Sequence, residues 1–430
     1  MTSISASDHG DRHTVAVVVA VQAAISLGYF AAMSHLVVHL REDLGLAAGV
    51  IGLVLALRNL VQHTLSLPVG VLVDVLTPVR TGILACLLRA VGFALLGTVS
   101  SLPGVVVAAV LLGTGGAMFH PAAQSLLAGL SERRRARGYA AYAMTLQVAA
   151  VVGPALGLVL LNVGYWLVAL TAAGLWVCAA FLFSLVRHGA SAAPVSAVSA
   201  VPAVPAVAPR GGVVSGVRAV LRDRAFMWFA VMSMPTMLLA DQAAVVVPLG
   251  GAEAGAVTVF CCVLAMVSAS VQPWCAAAGR AERPGVLRAG MLFAGGGYLL
   301  LATGVGDRLV GLVAVAVLLG LADGLMQPAV FRTLARLAPP TRYGAYLGVR
   351  AFCAGLFAFA GGIAVGRLFE WGAGGAAVAL GGLALVAFGT AVVSWVLFRW
   401  GVGSRGEISA LGGTPWGEGR DEGTKVGVGR

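Results

Sequence analysis

The second half of this chain repeats the pattern of the first half. Residues 111–130 recur as residues 318–337, which are displaced by 207 positions in a chain of 430 residues. Both copies contain Leu-Leu-Gly, then Pro-Ala, then Leu-Ala at the same spacing, and both lead into a basic stretch that contains tyrosine. Repeats that form solenoids have periods of about 20–50 residues, so a repeat of half the chain argues against that architecture. It predicts two similar halves.

The composition requires that lipid surround most of the chain. Hydrophobic residues make up 59% of the sequence and charged residues 10%, whereas soluble domains carry about 25% charged residues. The net charge of +11 does not indicate a nucleic-acid partner, because the arginines form short clusters between apolar segments, as in the cytoplasmic loops of membrane proteins. Two similar halves of membrane helices are typical of secondary transporters whose binding site lies between the halves.

The apolar segments predict an all-α membrane protein with twelve transmembrane helices in two six-helix pseudo-repeats. Each segment is close to the roughly 20 residues that a helix needs to cross about 30 Å of hydrocarbon. We number the segments 1 to 12. They cover residues 14–38, 47–73, 80–99, 103–129, 138–161, 164–186, 225–248, 255–278, 287–304, 309–333, 343–367 and 375–399.

The chain divides at a Pro-rich and Ala-rich stretch between segments 6 and 7. Arginines concentrate in the loops that share a side with both termini, which predicts that both termini are cytosolic. The arginine-rich composition, with Lys425 as the single lysine, favours a bacterial inner membrane protein. The predicted parts are a cytosolic tail at 1–13, a six-helix half at 14–186, a cytosolic linker with a surface helix at 187–224, a second half at 225–399, and a disordered cytosolic tail at 400–430.

Two local motifs connect this architecture to a known family. Residues 70–74, followed by Pro78 and Arg80, resemble the G-x-L-a-D-R-x-G-x-R loop between helices 2 and 3 of the major facilitator superfamily. Residues 153–157 resemble the G-P-x-x-G motif in helix 5 of its exporters. Weaker matches are similar to the MdtH-like multidrug transporters of that superfamily. These matches are residues 58–62, 89–94 and 344–348.

The resemblance implies which residues control the conformational change. It implies that the loop with Asp74 and Arg80 latches the two halves at the inner surface in the outward-open state. Gly70, which lets helices approach closely, and Arg137 are further candidates for this conformational control. It implies that Gly153, Pro154 and Gly157 bend helix 5 and pack it against helix 8 of the other half. The chain departs from the family pattern, because Val75 and Thr77 replace a basic residue and a glycine. Segment 1 also lacks the acid that many proton-coupled drug exporters place there.

Intramembrane ionisable residues are the candidates for mechanism, because each is costly in lipid unless it is paired or hydrated. Asp323 and Arg350 have similar predicted depth and can form an ion pair, either proton-sensitive or a static contact within the bundle. Asp241 can carry a proton or can lie inertly near the outer water. Arg58 starts a polar stripe in segment 2 and can line the cavity or pair within the bundle. Further candidates are His35, His120, Gln62, Gln242 and Gln327.

These features predict a proton-driven exporter of small apolar or amphipathic compounds that works by alternating access. The alternative is a facilitator or proton symporter that imports a small metabolite or organic anion. We predict a transporter and not an enzyme, because no catalytic motif such as H-E-x-x-H or G-x-S-x-G is present. We predict no cofactor and no metal site, with a proton gradient as the energy source. The expected partners are a small-molecule substrate and membrane lipid, and we expect the protein to function as a monomer.

Overall fold

The structure is a computed structural model that describes most of the chain. The side chains of residues 2–14, 66–76, 127–137, 139, 276, 284, 343 and 395–399 are outside the description. The described backbone covers residues 2–128, 132–185, 218, 220–276, 284–339 and 343–399.

Twelve long helices account for most of the described backbone, and each is apolar and long enough to cross a membrane. A five-residue π-helical turn, His39–Asp43, extends the first of them. The helices are α1 Thr2–Val38, α2 Ala48–Leu76, α3 Pro78–Thr98, α4 Leu102–Ala128, α5 Glu132–Leu161, α6 Tyr165–Ser184, α7 Arg224–Leu249, α8 Ala254–Ala276, α9 Pro284–Ala302, α10 Leu309–Leu337, α11 Tyr343–Phe369 and α12 Gly372–Arg399.

The twelve helices confirm the predicted fold class, and each corresponds to one predicted segment. Helix α1 begins at Thr2, so the helix also covers most of the predicted N-terminal tail, although its apolar part starts only at Val15. Residues 186–217, which include most of the predicted linker, lie outside the described residues, as does the predicted tail from residue 400. Helix α7 starts at a capping residue, because the Asp223 carboxylate accepts a hydrogen bond from the Phe226 amide at 3.0 Å.

The sequence repeat reappears as a repeat of helix packing. In the first half α4 packs on α2 and α3, and in the second half α10 packs on α8 and α9 in the same way. The repeated glycines mark equivalent contacts. A Cβ on Gly113 of α4 would meet the Arg58 carbonyl of α2, and a Cβ on Gly320 of α10 would meet the Leu264 carbonyl of α8. Glycine therefore lets the helix backbones touch at the same place in both halves.

Each half has its own apolar core, and large apolar side chains also cover the outside of the bundle. The first core contains Phe93, Phe119 and Trp176, and the second contains Phe260 and Tyr298. Large apolar side chains are exposed on the outside of the bundle, including Phe181 of α6 and Leu385 of α12. This distribution is expected for a bundle in which lipid replaces water as the solvent.

The two halves close on each other at one end of the bundle. Helix α2 packs along α11 and helix α5 packs along α8, whereas α4 and α5 make at most isolated contacts with α10 and α11 among the described residues. The closed end is the one where α1 ends and α2 begins. There Arg41 donates hydrogen bonds to the carbonyls of Pro248 (3.0 Å) and Leu249 (2.7 Å), and the Gly49 amide donates to Glu370 at 3.0 Å. In the predicted orientation this is the outer end.

Replacement of Arg41 should weaken this closure. Arg41→Ala removes two hydrogen bonds from a charged donor at a solvent-exposed site, so we expect the closed state to lose about threefold in population relative to the open state. The measurement is the rate of thiol labelling of a cysteine introduced at the buried Ala56, in a protein without its six native cysteines. Arg308→Ala serves as the control because Arg308 is exposed and makes no described side-chain hydrogen bond. Equal labelling rates in both variants would contradict the prediction.

Candidate functional site

Asp241 connects the two halves across the seam between α2 and α7. Its carboxylate accepts a hydrogen bond from Asn59 Nδ2 at 2.8 Å. Asp241 lies two turns inside the closed end of α7, and Asn59 lies three turns inside the start of α2. The carboxylate therefore lies deep within the bundle, where the gain or loss of one charge acts directly on the contact between the halves.

Asn59 relays this contact to an arginine in the first half. Arg58 Nη1 donates to Asn59 Oδ1 at 3.0 Å, and Arg58 Nη2 donates to the hydroxyl of Tyr29 in α1 at 2.7 Å. Asn59 thus accepts from a cation with its oxygen and donates to an anion with its nitrogen. The sequence predicts that Arg58 lines the cavity or pairs within the bundle, and in the structure Arg58 reaches Asp241 through the Asn59 amide.

A cavity of about 120 Å³ opens beside this chain of hydrogen bonds, inside the first half. Arg89 of α3 extends into it and donates from Nη2 to Gln62 Oε1 at 3.2 Å. The Arg89 guanidinium also lies over the rings of Trp176 (4.9 Å) and Tyr29 (5.3 Å). The lining residues come from α1 to α6. They are Gln22, Ile25, Ser26, Tyr29, Phe30, Arg58, Gln62, Arg89, Phe119, His120, Leu146 and Trp176.

Of two further predicted candidates, His120 lines this cavity and Gln242 does not. His120 of α4 faces it and shares a hydrogen bond of 2.9 Å with the hydroxyl of Tyr142 in α5. Gln242 follows Asp241 on α7 but is buried toward α11, and its Oε1 has no hydrogen-bond partner among the described residues. The structure therefore brings Arg58, Gln62 and His120 together around one cavity, and Asn59 connects Asp241 of the other half to Arg58.

The predicted ion pair between Asp323 and Arg350 does not form. Asp323 of α10 accepts a hydrogen bond from Ser268 of α8 at 2.7 Å and a second one from Gln327, one turn away on its own helix. Arg350 of α11 instead donates from Nε to Ser233 of α7 at 3.3 Å. The two residues have similar predicted depth, but their helices direct the side chains toward different neighbours.

Asp323 borders a second cavity, of about 130 Å³, that lies within the second half. The other lining residues are apolar and come from α7, α8, α9 and α10. None of the described hydrogen bonds of Asp323 crosses to the first half. This distinguishes the two intramembrane carboxylates, because Asp241 contacts the seam and Asp323 contacts only its own half.

The glycines of α5 contact a different helix from the predicted one. A Cβ on Gly153 would meet Phe30 of α1, and a Cβ on Gly157 would meet the Ala31 carbonyl of α1, so both glycines serve packing within the first half. The opposite face of α5 contacts α8, where the Cys262 thiol donates to the Val151 carbonyl at 3.1 Å. A glycine in the sequence indicates that another backbone approaches closely, but it does not identify the helix that approaches.

His35 belongs to the same packing between α1 and α5. Its ring is fully buried, and Nε2–H donates to the Pro154 carbonyl at 3.0 Å. The predicted candidate His35 therefore lies away from the cavity and fastens α1 to α5.

The predicted inner-surface latch lies mostly outside the described side chains. Gly70 and Asp74 are in the last part of α2, and Arg137 is in the first turns of α5, but only their backbone is described. Arg80 is exposed in the first turn of α3. Their role in latching the halves stays a prediction.

Three residues that line the cavity were not predicted from the sequence as candidates. Arg89 was not among the predicted candidates, yet it is buried in the bundle with 6% of its surface exposed. Its position in the middle of segment 3 was the available signal. Tyr29 and Trp176 gave no such signal, because an aromatic residue in an apolar segment is ordinarily part of the helix packing.

Removal of the Asn59 amide should disconnect Asp241 from the first half. Asn59→Leu keeps a similar volume but leaves the carboxylate without its donor, so we expect the closed state to lose about tenfold in population relative to the open state. Labelling of a cysteine at Ala56 measures this change. Asn162→Leu is the control, because Asn162 is exposed and its described side-chain hydrogen bond is to the Val159 carbonyl at the end of α5. Unchanged labelling in Asn59→Leu would show that the contact contributes nothing to closure.

The comparisons with known proteins agree with this architecture. Residues 18–362 match the profile of the Major Facilitator Superfamily. The chain is 30% identical over 369 residues to the "Multidrug resistance protein MdtH" of Aeromonas hydrophila, covering 81% of this chain and 85% of that protein. It is 27% identical to an uncharacterized MFS-type transporter of Mycobacterium tuberculosis, with 81% and 84% covered.

Solved structures show the same fold at low sequence identity. A POT family transporter in complex with 5-aminolevulinic acid superposes with a TM-score of 0.70 at 14% identity, covering 90% of this chain and 96% of that one. The human organic anion transporter MFSD10 superposes with a TM-score of 0.56 at 18% identity, covering 89% and 99%. The family profile, the two packed six-helix halves and the relatives together establish that this chain is a membrane transporter of the major facilitator superfamily.

Proposed function

We propose that this transporter exports small apolar or amphipathic compounds in exchange for protons, by alternating access between its two halves. The observation that carries the proposal is the position of Asp241, a carboxylate inside the bundle that bonds across the seam through Asn59. A proton on Asp241 removes the charge from that bond and weakens it, since charge-assisted hydrogen bonds are roughly twice as strong as neutral ones. Protonation and the closure of one end are thereby linked.

The direction of transport is supported by the relatives and by the chemistry of the bundle. The MdtH relative is named for multidrug resistance. Apolar or aromatic residues make up half of the lining of the first cavity and all of the second except Asp323, which suits amphipathic compounds that enter from lipid or cytosol. We propose that the open end faces the cytosol of a bacterial inner membrane, with both termini on that side, and that one chain is the functional unit.

The test uses everted membrane vesicles that contain the protein and have been acidified inside by respiration. We expect at least one compound from a panel of ethidium, chloramphenicol and 1-naphthalenesulfonate to dissipate the pH gradient when added outside. Vesicles without the protein are the control. If no panel compound moves protons while labelled compound still equilibrates across the membrane, exchange with protons is wrong and facilitated diffusion replaces it.

A second candidate function is a proton symporter that imports an organic anion. The observation that favours it is the pair of arginines, Arg58 and Arg89, that face the cavity of the first half. The same vesicles discriminate the two functions. For a symporter, a compound preloaded inside the acidic vesicles dissipates the gradient as it leaves together with protons, and external compound does not.

A further inference from the structure

We infer that the cavity of the first half binds an amphipathic substrate by an acidic group, which lies between the guanidinium groups of Arg58 and Arg89. This inference rests on the proposed function in one respect only, namely that the cavity is on the transport path. It assigns a substrate class that holds for export and for import alike.

The first argument is an imbalance of charge. Arg58 and Arg89 line the cavity, and no carboxylate does so among the described residues. Asp241 is the one carboxylate that the described contacts connect to this cluster, and it reaches Arg58 through Asn59. One negative charge does not neutralise two guanidinium groups inside the bundle, so the unliganded site lacks one anion.

The second argument is the unused hydrogen-bonding capacity of the arginines. Arg89 is more than nine-tenths buried, and its described partners are the neutral Gln62 amide and the faces of two aromatic rings. The Nε atoms of Arg58 and Arg89 are both buried without an acceptor. A guanidinium presents parallel N–H groups that fit the two oxygens of a carboxylate, sulfonate or phosphate. An acidic group would satisfy donors that the protein leaves open.

The third argument concerns the rest of the ligand. Both guanidinium groups lie over the ring of Tyr29, at 5.4 and 5.3 Å, so the two cations flank one aromatic residue. Trp176 and Phe119 continue this aromatic wall, and both are almost fully buried. A flat apolar body can stack there while its acidic group reaches the arginines. The volume of about 120 Å³ fits a small aromatic acid better than a large drug.

The experiment is calorimetric titration of the purified, detergent-solubilised protein with two probes of equal shape. 1-Naphthalenesulfonate carries a permanent negative charge, and 1-naphthalenesulfonamide is neutral. We expect the sulfonate to bind at least about tenfold more tightly than the sulfonamide, and Arg89→Gln to lower the affinity for the sulfonate about tenfold while the sulfonamide is unaffected. Arg89→Lys should give an intermediate affinity, because lysine keeps the charge but loses the planar fork.

The control variant is Arg288→Gln. Arg288 lies in α9 of the other half, away from the cavity, and donates to the Ser394 carbonyl at 3.1 Å. It should leave both affinities unchanged. Equal affinity of wild-type protein for the two probes would overturn the inference, and this comparison needs no variant to fold. Displacement of the sulfonate by dihexanoylphosphatidylglycerol at lower concentration would also overturn it, because the site would then take a lipid phosphate.

The titration separates this inference from the proposed function, because it involves no gradient. Selective binding of the sulfonate together with no proton movement in vesicles would leave the anion site in place and refute proton exchange. Proton movement with only cationic or neutral compounds, and no selective binding of the sulfonate, would refute the anion site and leave proton exchange in place.

Discussion

Asp241→Asn should abolish proton-coupled transport and leave the fold intact. Asparagine keeps the size of the side chain and a carbonyl oxygen that accepts from Asn59, but it cannot exchange a proton. We expect substrate-driven proton movement to fall about 100-fold, which is near the upper end of coupling between linked sites. Exchange of labelled for unlabelled substrate in the absence of a gradient should continue, since that reaction requires no net proton transfer.

Asp323→Asn is the matched control for this prediction. It makes the same chemical change at the other described carboxylate inside the bundle, which bonds only within the second half. We expect its proton coupling to stay within about threefold of wild type, which is the size of effect expected from the loss of one ordinary hydrogen bond. The opposite pattern, with coupling lost in Asp323→Asn and retained in Asp241→Asn, would transfer the proton-carrying role to Asp323.

Gly366→Val should prevent closure of the end that is sealed in this structure. A Cβ on Gly366 of α11 would lie 2.8 Å from the Ala48 carbonyl oxygen and 3.1 Å from the Gly49 Cα of α2. These are backbone atoms of the other half, so they cannot rotate away as a side chain can. Overpacking costs about 1–3 kcal/mol, which corresponds to a shift of about 5- to 150-fold toward the state that is open at this end.

Labelling of a cysteine at Ala56 measures that shift, because Ala56 is buried beside Gly362 at the same helix crossing. Gly389→Val provides the control. It introduces the same residue into the middle of α12, where a Cβ meets no atom within 4 Å. Both variants should unfold at similar temperatures, and only Gly366→Val should label faster and transport slowly. Normal transport with unchanged labelling would show that the α2–α11 crossing does not govern closure.

The fold was predictable from the sequence because hydrocarbon thickness sets the helix length and the repeat sets the symmetry. Twelve apolar segments of sufficient length fix the number of helices, and residues 111–128 and 318–335 correspond to equivalent parts of α4 and α10. Lipid permits few alternatives, since a spanning segment must satisfy its own backbone. The packing of Gly113 on α2 and Gly320 on α8 follows from the same symmetry.

The sequence predicted which residues belong to the candidate site but not which partners they contact. Arg58, Gln62, His120 and Asp241 stand out because polar groups are costly in apolar segments. Their partners depend on how each helix is rotated about its axis, and sequence position gives depth but not rotation. This is why Asp323 and Arg350 were expected to pair but bond to Ser268 and Ser233 instead. The bond between Asn59 and Asp241 depends further on the register between the halves, which no local pattern encodes.

The central claim is tested most directly by the side on which substrate accumulates in proteoliposomes. The purified protein is reconstituted, a pH difference of one unit is imposed, and the membrane potential is held at zero with potassium and valinomycin. The permanently charged panel compounds, ethidium and 1-naphthalenesulfonate, are used because they do not follow the pH difference passively. An exchanger predicts accumulation on the acidic side, by about tenfold for one proton per substrate. Accumulation on the alkaline side, or equal concentrations on both sides, would contradict proton-coupled export.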